Sequence, residues 1–274
     1  MTLIVIGPVT NDLVVIGGNE SSKVGGATYF QSFVFEEFYN DYMAIVNCSD
    51  ASLINEFPDS DKVKVIKKDN THFFINNYPD ADDLDIREQL SNFADIPILK
   101  SDLEEVLPDD IEGFVLNPLN RHDFPSETID YLKSFNVPIF LSIQGFLRLP
   151  NLKVNENYTI KLDNFTQLTD ILCGVNAIFL DEGEASIIGM GYDVDEMVIT
   201  NASKGSRIIS QEGEIKIDAI ECQNVVDTTG CGDTYMAAYI SYKLLSNSSK
   251  KAGNFASKVS SEKISNFGPY KFNK

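Results

Sequence analysis

One short run of residues combines a flexible backbone with a carboxylate, which makes it the part of the sequence best suited to chemistry. Residues 225–240 read VVDTTGCGDTYMAAYI, in which Gly230 and Gly232 flank Cys231 and Asp233 follows at once. Two glycines so close together let a backbone turn sharply and approach a ligand. The free amides at the start of the helix predicted to follow carry partial positive charge, which suits a phosphate group. The run therefore predicts an anion hole at Gly230, Cys231 and Gly232.

Asp233 admits two interpretations. A carboxylate in the first turn of a helix is favoured electrostatically, whatever the function of the protein. A carboxylate directly behind a predicted anion hole could instead take part in chemistry there. The residue types alone do not decide between a helix-terminal role and catalysis.

The complete string DTTGCGD, residues 227–233, resembles the D-T-x-G-[AC]-G-D signature of the ribokinase-like, or PfkB, carbohydrate kinase family. The resemblance implies that Asp233 is the catalytic base. It also implies that the amides of Gly230, Cys231 and Gly232 bind the γ-phosphate of ATP. Cys231 would then be a small residue that contributes its amide, and a redox role is the alternative.

Weaker motifs follow the order of the same family. Gly25 and Gly26 precede a predicted helix and resemble the family's first glycine motif, which approaches the substrate. Asp12 matches an aspartate that binds substrate hydroxyls, and a turn residue is the alternative interpretation. The resemblance thus implies substrate binding by Asp12, Gly25 and Gly26. Phe30 stands where many sugar-specific members have asparagine, so ribose or fructose specificity does not follow.

Residues 181–184, DEGE, resemble the family's N-x-x-E motif. The motif implies that Glu184 helps to hold magnesium, with Asp181 in place of the usual asparagine. Residues 142–148, SIQGFLR, resemble the D-P-Q-G-x-x-R element of some members, with Ser142 in place of the aspartate.

Residues 200–205, TNASKG, resemble the T-x-G-x-x-G loop around the nucleotide. The resemblance implies ATP binding by Thr200, Lys204 and Gly205. Ala202 stands where glycine is usual. The resemblance covers most of the chain, although only the 227–233 signature is specific by itself.

Short apolar runs alternate with helical patterns, which predicts an α/β fold whose parallel strands are buried on both faces. The predicted strands are Leu3–Ile6, Met43–Asn47, Gly113–Leu116, Pro138–Ser142, Ala177–Leu180 and Met197–Thr200. The main predicted helices are Thr28–Tyr39, Ser126–Phe135, Cys231–Leu245 and Asn254–Ser265. The family resemblance implies a ribokinase-like three-layer α/β/α sandwich with a mainly parallel central sheet and a small β-sheet lid. It also implies one domain over residues 1–274.

Three segments do not follow the alternation. Residues 12–26 predict strand, turn and strand, and residues 62–78 predict a hairpin that turns at residues 68–70. Residues 156–170 are polar and predict a loop followed by a helix. The resemblance implies that 12–26 and 62–78 form the lid, which would exclude water from the reaction. Because an exposed lid edge can pair with another strand, a homodimer through the lid is also expected.

Composition excludes several other classes of protein. The chain has 274 residues and a net charge of −19, which argues against binding to nucleic acid or to an anionic membrane surface. Apolar runs are too short to span a bilayer, and the N-terminus lacks the basic region of a signal peptide. The four cysteines and two histidines show neither a C-x-x-C pair nor a zinc spacing. We therefore expect reduced thiols in a cytoplasmic protein.

These observations predict an ATP- and Mg²⁺-dependent kinase that phosphorylates a hydroxyl of a small sugar, polyol or nucleoside. The alternative is a catalytically inactive ligand-binding or regulatory protein on the same fold. A P-loop kinase is not predicted because no G-x-x-x-x-G-K-[ST] motif is present. An oxidoreductase on a dinucleotide-binding fold fits poorly because no G-x-G-x-x-G follows the first strand.

Overall fold

The computed structural model describes residues 1–78 and 88–272, in which strands and helices alternate along much of the chain. The strands are β1 (Thr2–Ile6), β2 (Thr10–Ile16), β3 (Asn19–Gly25), β4 (Tyr42–Cys48), β5 (Val63–Lys67), β6 (Phe74–Tyr78), β7 (Glu88–Ser91), β8 (Ile111–Leu116), β9 (Ile139–Ser142), β10 (Arg148–Val154), β11 (Asn157–Leu162), β12 (Val175–Asp181), β13 (Val194–Thr200), β14 (Ser206–Ser210) and β15 (Gly213–Ile217). The α-helices are α1 (Ala27–Phe38), α2 (Lys100–Glu104), α3 (Ser126–Lys133), α4 (Gln144–Leu147), α5 (Leu168–Leu172), α6 (Glu182–Ile188), α7 (Cys231–Ser246) and α8 (Ser249–Ile264).

A large sheet forms the centre of the molecule, in the order β15-β14-β13-β12-β9-β8-β1-β4-β5. Its strands are parallel except for β14 and β15, which pair in antiparallel fashion at one edge. The six strands predicted from apolar runs all lie in this sheet. The four residues Leu3–Ile6 of β1 are fully buried, as expected for a strand covered on both faces.

Successive residues of the central strands point to opposite helical layers, because side chains alternate across a strand. Leu3 and Val5 pack in one core with α1, α7 and α8, while Ile4 and Ile6 pack in another with α3, α5 and α6. This arrangement confirms the predicted three-layer α/β/α sandwich. No helix within the described ranges, 1–78 and 88–272, is long and apolar enough to cross a membrane.

A smaller sheet stands beside the large one, in the order β10-β11-β7-β6-β2-β3. It is antiparallel except for the pairing of β2 with β6. Residues 12–26 enter it as most of β2 and all of β3.

The predicted hairpin at residues 62–78 is wrong, because this segment is divided between the two sheets. β5 pairs in parallel with β4 at the edge of the large sheet, and only β6 belongs to the small sheet. Val63 and Ile66 of β5 enter the two opposite cores, which gives this strand two buried contacts that a small exposed hairpin could not supply. Residues 68–70 therefore lie in the crossing from one sheet to the other.

Residues 156–170 also differ from the prediction, since they contain the strand β11 before the short helix α5. β11 has only partly buried and exposed residues, so the buried apolar run that marks a central strand is missing from its sequence. Pairing with β10 and β7 overrides its polar composition.

Candidate active site

A cavity of about 760 Å³ lies between the small sheet and the carboxyl ends of strands in the large sheet. Asp12, Phe74 and Asn76 line it from the small sheet, and Asp181 and Thr200 line it from the ends of β12 and β13. Crevices at the carboxyl ends of parallel strands are the usual ligand sites of open α/β sheets. The cavity also contains residues 228–233, so the predicted catalytic and substrate motifs meet there.

The signature loop, residues 227–233, leads directly into α7. Gly230 is the N-cap of α7 and has a φ of 74°, a left-handed conformation that favours glycine. A Cβ at Gly230 would overlap the ring of Phe30, which lies on α1. Gly232 differs, because its φ is not positive and the space around a Cβ there is open. Gly230 therefore fixes the turn, while Gly232 keeps the cavity side of the loop clear.

Asp233 lies in the first turn of α7 and lines the cavity. Burial raises the pKa of its carboxyl group to about 6, although the positive charges of Arg148 and Lys263 act to lower it. A carboxylate with a pKa near neutrality is a suitable general base, because it is ionised at neutral pH and still accepts a proton readily. The geometry thus places a titratable acceptor next to the amides that begin α7.

Asp12 lines the same cavity from β2, and the residue is only 8% exposed. Burial raises the pKa of Asp12 to about 6, opposed mainly by the neighbouring Thr10 side chain and by the charge of Lys23. Within the described part of the chain, Asp12 Oδ1 is buried without a hydrogen-bond partner. A buried acceptor left in this state is costly, and a ligand hydroxyl that enters the cavity would satisfy it.

The two glycines of the first motif have different roles. A Cβ at Gly25 would lie 2.5 Å from Asp12 Oδ2, so this glycine makes room for the Asp12 carboxylate. Gly26 lines the cavity, has a φ of 96° and approaches the carbonyl oxygen of Pro8 too closely to carry a side chain. Gly25 therefore acts through Asp12, while Gly26 borders the cavity itself.

The DEGE motif forms a capping box at the start of α6. Asp181 accepts a hydrogen bond from the Glu184 amide at 2.7 Å, and Glu184 accepts one from the Asp181 amide at 3.0 Å. Aspartate thus serves as the cap at the position where the family has asparagine. Glu184 is buried, and burial followed by the charge of Asp181 raises its pKa to about 7.

The charges around Glu184 bear on magnesium. Asp181 and Asp233 both raise the pKa of Glu184, after the larger effect of burial, so a cation here would relieve repulsion among three carboxylates. The described residues contain no group of three or more protein ligands arranged to hold a metal directly. Mg²⁺ usually keeps several waters and binds through one or two carboxylates and substrate phosphates, so this site fits it in that form.

The predicted nucleotide residues are only partly at the cavity. Thr200 and Gly205 line it, whereas Lys204 is exposed on the adjoining turn of residues 202–204 and is not among the described lining residues. Ala202 lines the cavity with a φ of 45°, so it adopts the left-handed conformation in which glycine is usual.

Arg148 is a site residue to which the sequence analysis gave no role. It lies at the start of β10, lines the cavity and is only 8% exposed. Its guanidinium carbon Cζ lies 5.2 Å from the centre of the Phe74 ring. Its charge lowers the pKa values of Asp12, Glu184 and Asp233, against the larger effect of burial in each. The Q-G-x-x-R spacing was the signal that pointed to it.

The small sheet adds two further polar side chains that no motif marked. Asn76 of β6 and Gln89 of β7 line the cavity, and Gln89 Nε2 donates a hydrogen bond to Asn76 Oδ1 at 2.8 Å. The two residues are 13 positions apart in the sequence and meet through the pairing of β6 with β7. No sequence signal could have joined them.

Comparison with known proteins agrees with this geometry. A family model described as pfkB family carbohydrate kinase matches residues 169–274. A nucleoside kinase of Methanocaldococcus jannaschii is 31% identical over 83 residues, which are 27% of this chain and 28% of that protein. The match to this relative therefore spans little more than a quarter of its length.

Solved structures extend the similarity of fold to nearly the whole chain. A pyrophosphate-dependent kinase in the ribokinase family, complexed with a pyrophosphate analogue and myo-inositol, has a TM-score of 0.82 at 23% identity. That match covers 98% of this chain and 97% of the other. Arabidopsis thaliana ribokinase complexed with ribose and ATP has a TM-score of 0.71 at 19% identity, with coverages of 98% and 94%. The resemblance found in the sequence is confirmed.

Proposed function

We propose that this chain, which has the ribokinase-like fold and the C-terminal sequence pattern of the PfkB family, is a kinase that phosphorylates a hydroxyl of a small sugar, polyol or nucleoside. ATP is the proposed donor. Asp233 is the proposed base, and the amides of Gly230, Cys231 and Gly232 are the proposed anion hole. The acceptor is held by Asp12 and the backbone at Gly26.

One observation carries this proposal. Asp12 of β2 and Asp233 of α7 are carboxylates that line a single cavity, and the signature loop borders the same space. Each carboxylate has a pKa raised by burial to about 6. A hydroxyl compound held at Asp12 could thus present one oxygen to Asp233 while a phosphate occupies the start of α7. The open space at Gly232 is where such a phosphate would lie.

Phosphoryl transfer requires that the reactants be positioned and that the developing negative charge be stabilised, and different residues would supply these two effects. Asp233 takes the proton from the acceptor hydroxyl as the hydroxyl oxygen attacks the γ-phosphorus, and the bond from that phosphorus to the bridging oxygen breaks so that ADP leaves. The amides at the start of α7 and the guanidinium of Arg148 supply positive potential around the transferring group. Mg²⁺, held through water beside Asp181 and Glu184, would neutralise phosphate charge when it is bound.

A panel of donors and acceptors tests the proposal. Purified protein is incubated with Mg²⁺ and either ATP or pyrophosphate, and with ribose, myo-inositol or inosine as acceptors. Pyrophosphate is included because a kinase that depends on it shares this fold. Acceptor-dependent ADP release, with a phosphorylated product seen by mass spectrometry, is the expected result.

Other outcomes of the panel are equally informative. Turnover with pyrophosphate and not with ATP would keep the kinase proposal and replace the donor. Tight binding of an acceptor without turnover under any condition would contradict the kinase and favour the binding protein. Nothing in the site favours that alternative, since Asp233, Gly230 and Gly232 all border one cavity.

The proposal includes a homodimer formed through the small sheet. β3 is an edge strand of that sheet, and its residues 19–22 are exposed. Exposed edge strands present unpaired backbone groups to a second strand. Sedimentation equilibrium measures the mass in solution, and a monomer at all concentrations would contradict this part. The cytoplasmic location expected from the sequence also remains a proposal.

A further inference from the structure

Lys263, on the last turn of α8, is a charged residue with no exposed surface. Lysine is almost never fully buried unless its charge is paired. The sequence motifs do not mark Lys263, and it does not line the cavity. Its burial therefore needs a physical reason beyond packing.

The ammonium group of Lys263 points at the signature loop from behind. Its Nζ donates a hydrogen bond to the carbonyl oxygen of Asp227 at 2.7 Å and lies 3.8 Å from Asp227 Oδ2. Asp227 Oδ2 also accepts from the Gly268 amide at 3.0 Å, and Asp227 Oδ1 accepts from the Thr229 amide at 2.9 Å. Lys263 and Asp227 thus join the end of α8, the turn at Gly268 and the first residues of the loop.

Backbone contacts reinforce this connection. The amides of Val226 and Asp227 donate to the carbonyl oxygen of Ile264 at 2.9 and 3.2 Å. Ser260 Oγ donates to the carbonyl oxygen of Cys231 at 3.5 Å. The loop is therefore tied to α8 at both ends, near Asp227 and at Cys231, and the buried ammonium of Lys263 adds a charge to these contacts.

Lys263 also acts on the loop electrostatically. The titratable groups that act on its ammonium include Cys231, Asp227, Lys23 and Asp233. Burial lowers the pKa of Lys263, and Cys231, Asp227 and Asp233 oppose that shift. In return, the charge of Lys263 lowers the pKa of Asp233 and of Cys231, against the larger effect of burial. A positive charge here favours both an ionised base and a bound phosphate.

We infer that Lys263 is a positioning residue of the phosphate site, which holds the signature loop in its binding conformation and supplies a built-in positive charge behind the anion hole. This inference rests on the proposed function. The ligand it serves is the terminal phosphate of the donor, bound on the opposite side of the loop. Lys263 itself does not touch substrate.

The test compares Lys263→Met, which keeps length but removes charge, with Lys243→Met as a matched control. Lys243 is also a partly buried, ion-paired lysine, since its Nζ lies 2.7 Å from Glu196 Oε1, and it is not among the cavity residues. Both variants lose an ion pair, fully buried on the lysine side in one case and partly buried in the other, and are expected to lose stability. Only the Lys263 variant is expected to change the chemistry, so all measurements are made well below both unfolding temperatures.

Three readouts separate positioning from general stability. The kcat of Lys263→Met is expected to fall by about 100-fold, as a misplaced phosphate loop would cause, with little change in the acceptor KM. The acidic limb of its rate profile should move to higher pH, because Asp233 loses a charge that lowers its pKa. ATP affinity measured by calorimetry without acceptor should weaken by about tenfold.

Rescue gives a further check. In Lys263→Ala, added alkylammonium ions should restore part of the activity by entering the space beside Asp227, and neutral alcohols of equal size should not. Activity and ATP affinity in Lys263→Met that match Lys243→Met would overturn the inference. If Lys263→Met does not fold, Lys263→Gln is judged by the same criteria, and failure of both to fold would show a purely structural lysine and overturn the inference.

The outcome can be distinguished from failure of the proposed function. If wild-type protein turns over no acceptor in the panel, the proposed kinase fails. The calorimetric comparison of ATP and pyrophosphate binding still decides whether Lys263 supports a phosphate site. Weaker binding in Lys263→Met than in Lys243→Met supports the inference, and equal binding refutes it.

Discussion

Two walls of the cavity each carry a carboxylate, Asp233 on one and Asp12 on the other, and different kinds of structure position the two side chains. Asp233 follows a run of consecutive residues and lies at the start of a helix, whereas Asp12 lies on a strand beside side chains from β6 and β7. Burial raises the pKa of both to about 6. The wall that contains Asp233, for which we propose donor binding (the donor wall), is thus a local motif in contact with α8. The wall that contains Asp12, for which we propose acceptor binding (the acceptor wall), exists only once β2, β6 and β7 have paired. The difference suggests fixed chemistry on one wall and variable recognition on the other.

The largest expected effect tests the donor wall. Asp233→Asn keeps the shape of the side chain but removes the proton acceptor, so turnover should fall by about 10²- to 10⁴-fold. Acceptor-dependent ADP release measures this directly. A folded variant that turns over within about threefold of wild type, well inside the range that loss of a general base produces, would contradict the assignment of the base.

The same variant should also separate catalysis from helix stabilisation. Because the folded pKa of Asp233 is raised to about 6, its ionised form destabilises the folded protein at neutral pH. Asp233→Asn should therefore be at least as stable as wild type at about pH 7, and this advantage should disappear as the pH falls from about 6 to about 4. Thermal unfolding at several pH values measures it. A loss of stability at pH 7 would favour a purely helix-terminal role.

The next effect distinguishes the two glycines of the loop. Gly232→Val places a side chain in the open space where the phosphate is proposed to lie, so turnover should fall by about 100-fold while the melting temperature stays near wild type. Gly230→Ala is the matched control, because it strains a left-handed residue and overlaps Phe30. It should destabilise the protein by about 1 kcal/mol or more. Normal ATP affinity in Gly232→Val would show that the loop does not hold phosphate.

The smallest effect tests the acceptor wall. Asp12→Asn keeps the volume of a buried side chain but weakens its hydrogen bonds to acceptor hydroxyls. The kcat/KM for the acceptor should fall by about 10- to 100-fold, and ATP affinity should stay unchanged. Calorimetry with ATP alone supplies the control. A loss of ATP affinity equal to the loss of acceptor affinity would show that the two walls are not functionally separate.

The residues of the wall that contains Asp233 could be predicted from the sequence better than those of the wall that contains Asp12, and the reason is physical. Consecutive residues such as 227–233 fix a local conformation, so the loop and the helix that follows could be predicted together. The central strands were also predictable, because burial on both faces leaves a continuous apolar run such as Leu3–Ile6. β5 was misassigned because its short pattern fits either sheet, and only pairing with β4 decides between them.

The remaining site residues depend on contacts that leave no local trace. Asn76 and Gln89 meet through the register of β6 and β7. Lys263 is buried because the end of α8 packs against Asp227. The sequence of α8 alone does not show this contact. Gly25 was identified as a substrate residue, whereas the structure shows that it makes room for Asp12.

The small sheet is assembled from separate excursions of the chain, each of which leaves the large sheet and returns to it. The excursions after β1 and β5 supply β2 with β3 and β6 with β7, and the one after α4 supplies β10 with β11. Residues 227–233 lie outside all three excursions, so the sequence of an excursion can change while that loop keeps its own sequence. Under the proposed function, exchange of these strand pairs is where a protein engineer would begin in order to change the acceptor.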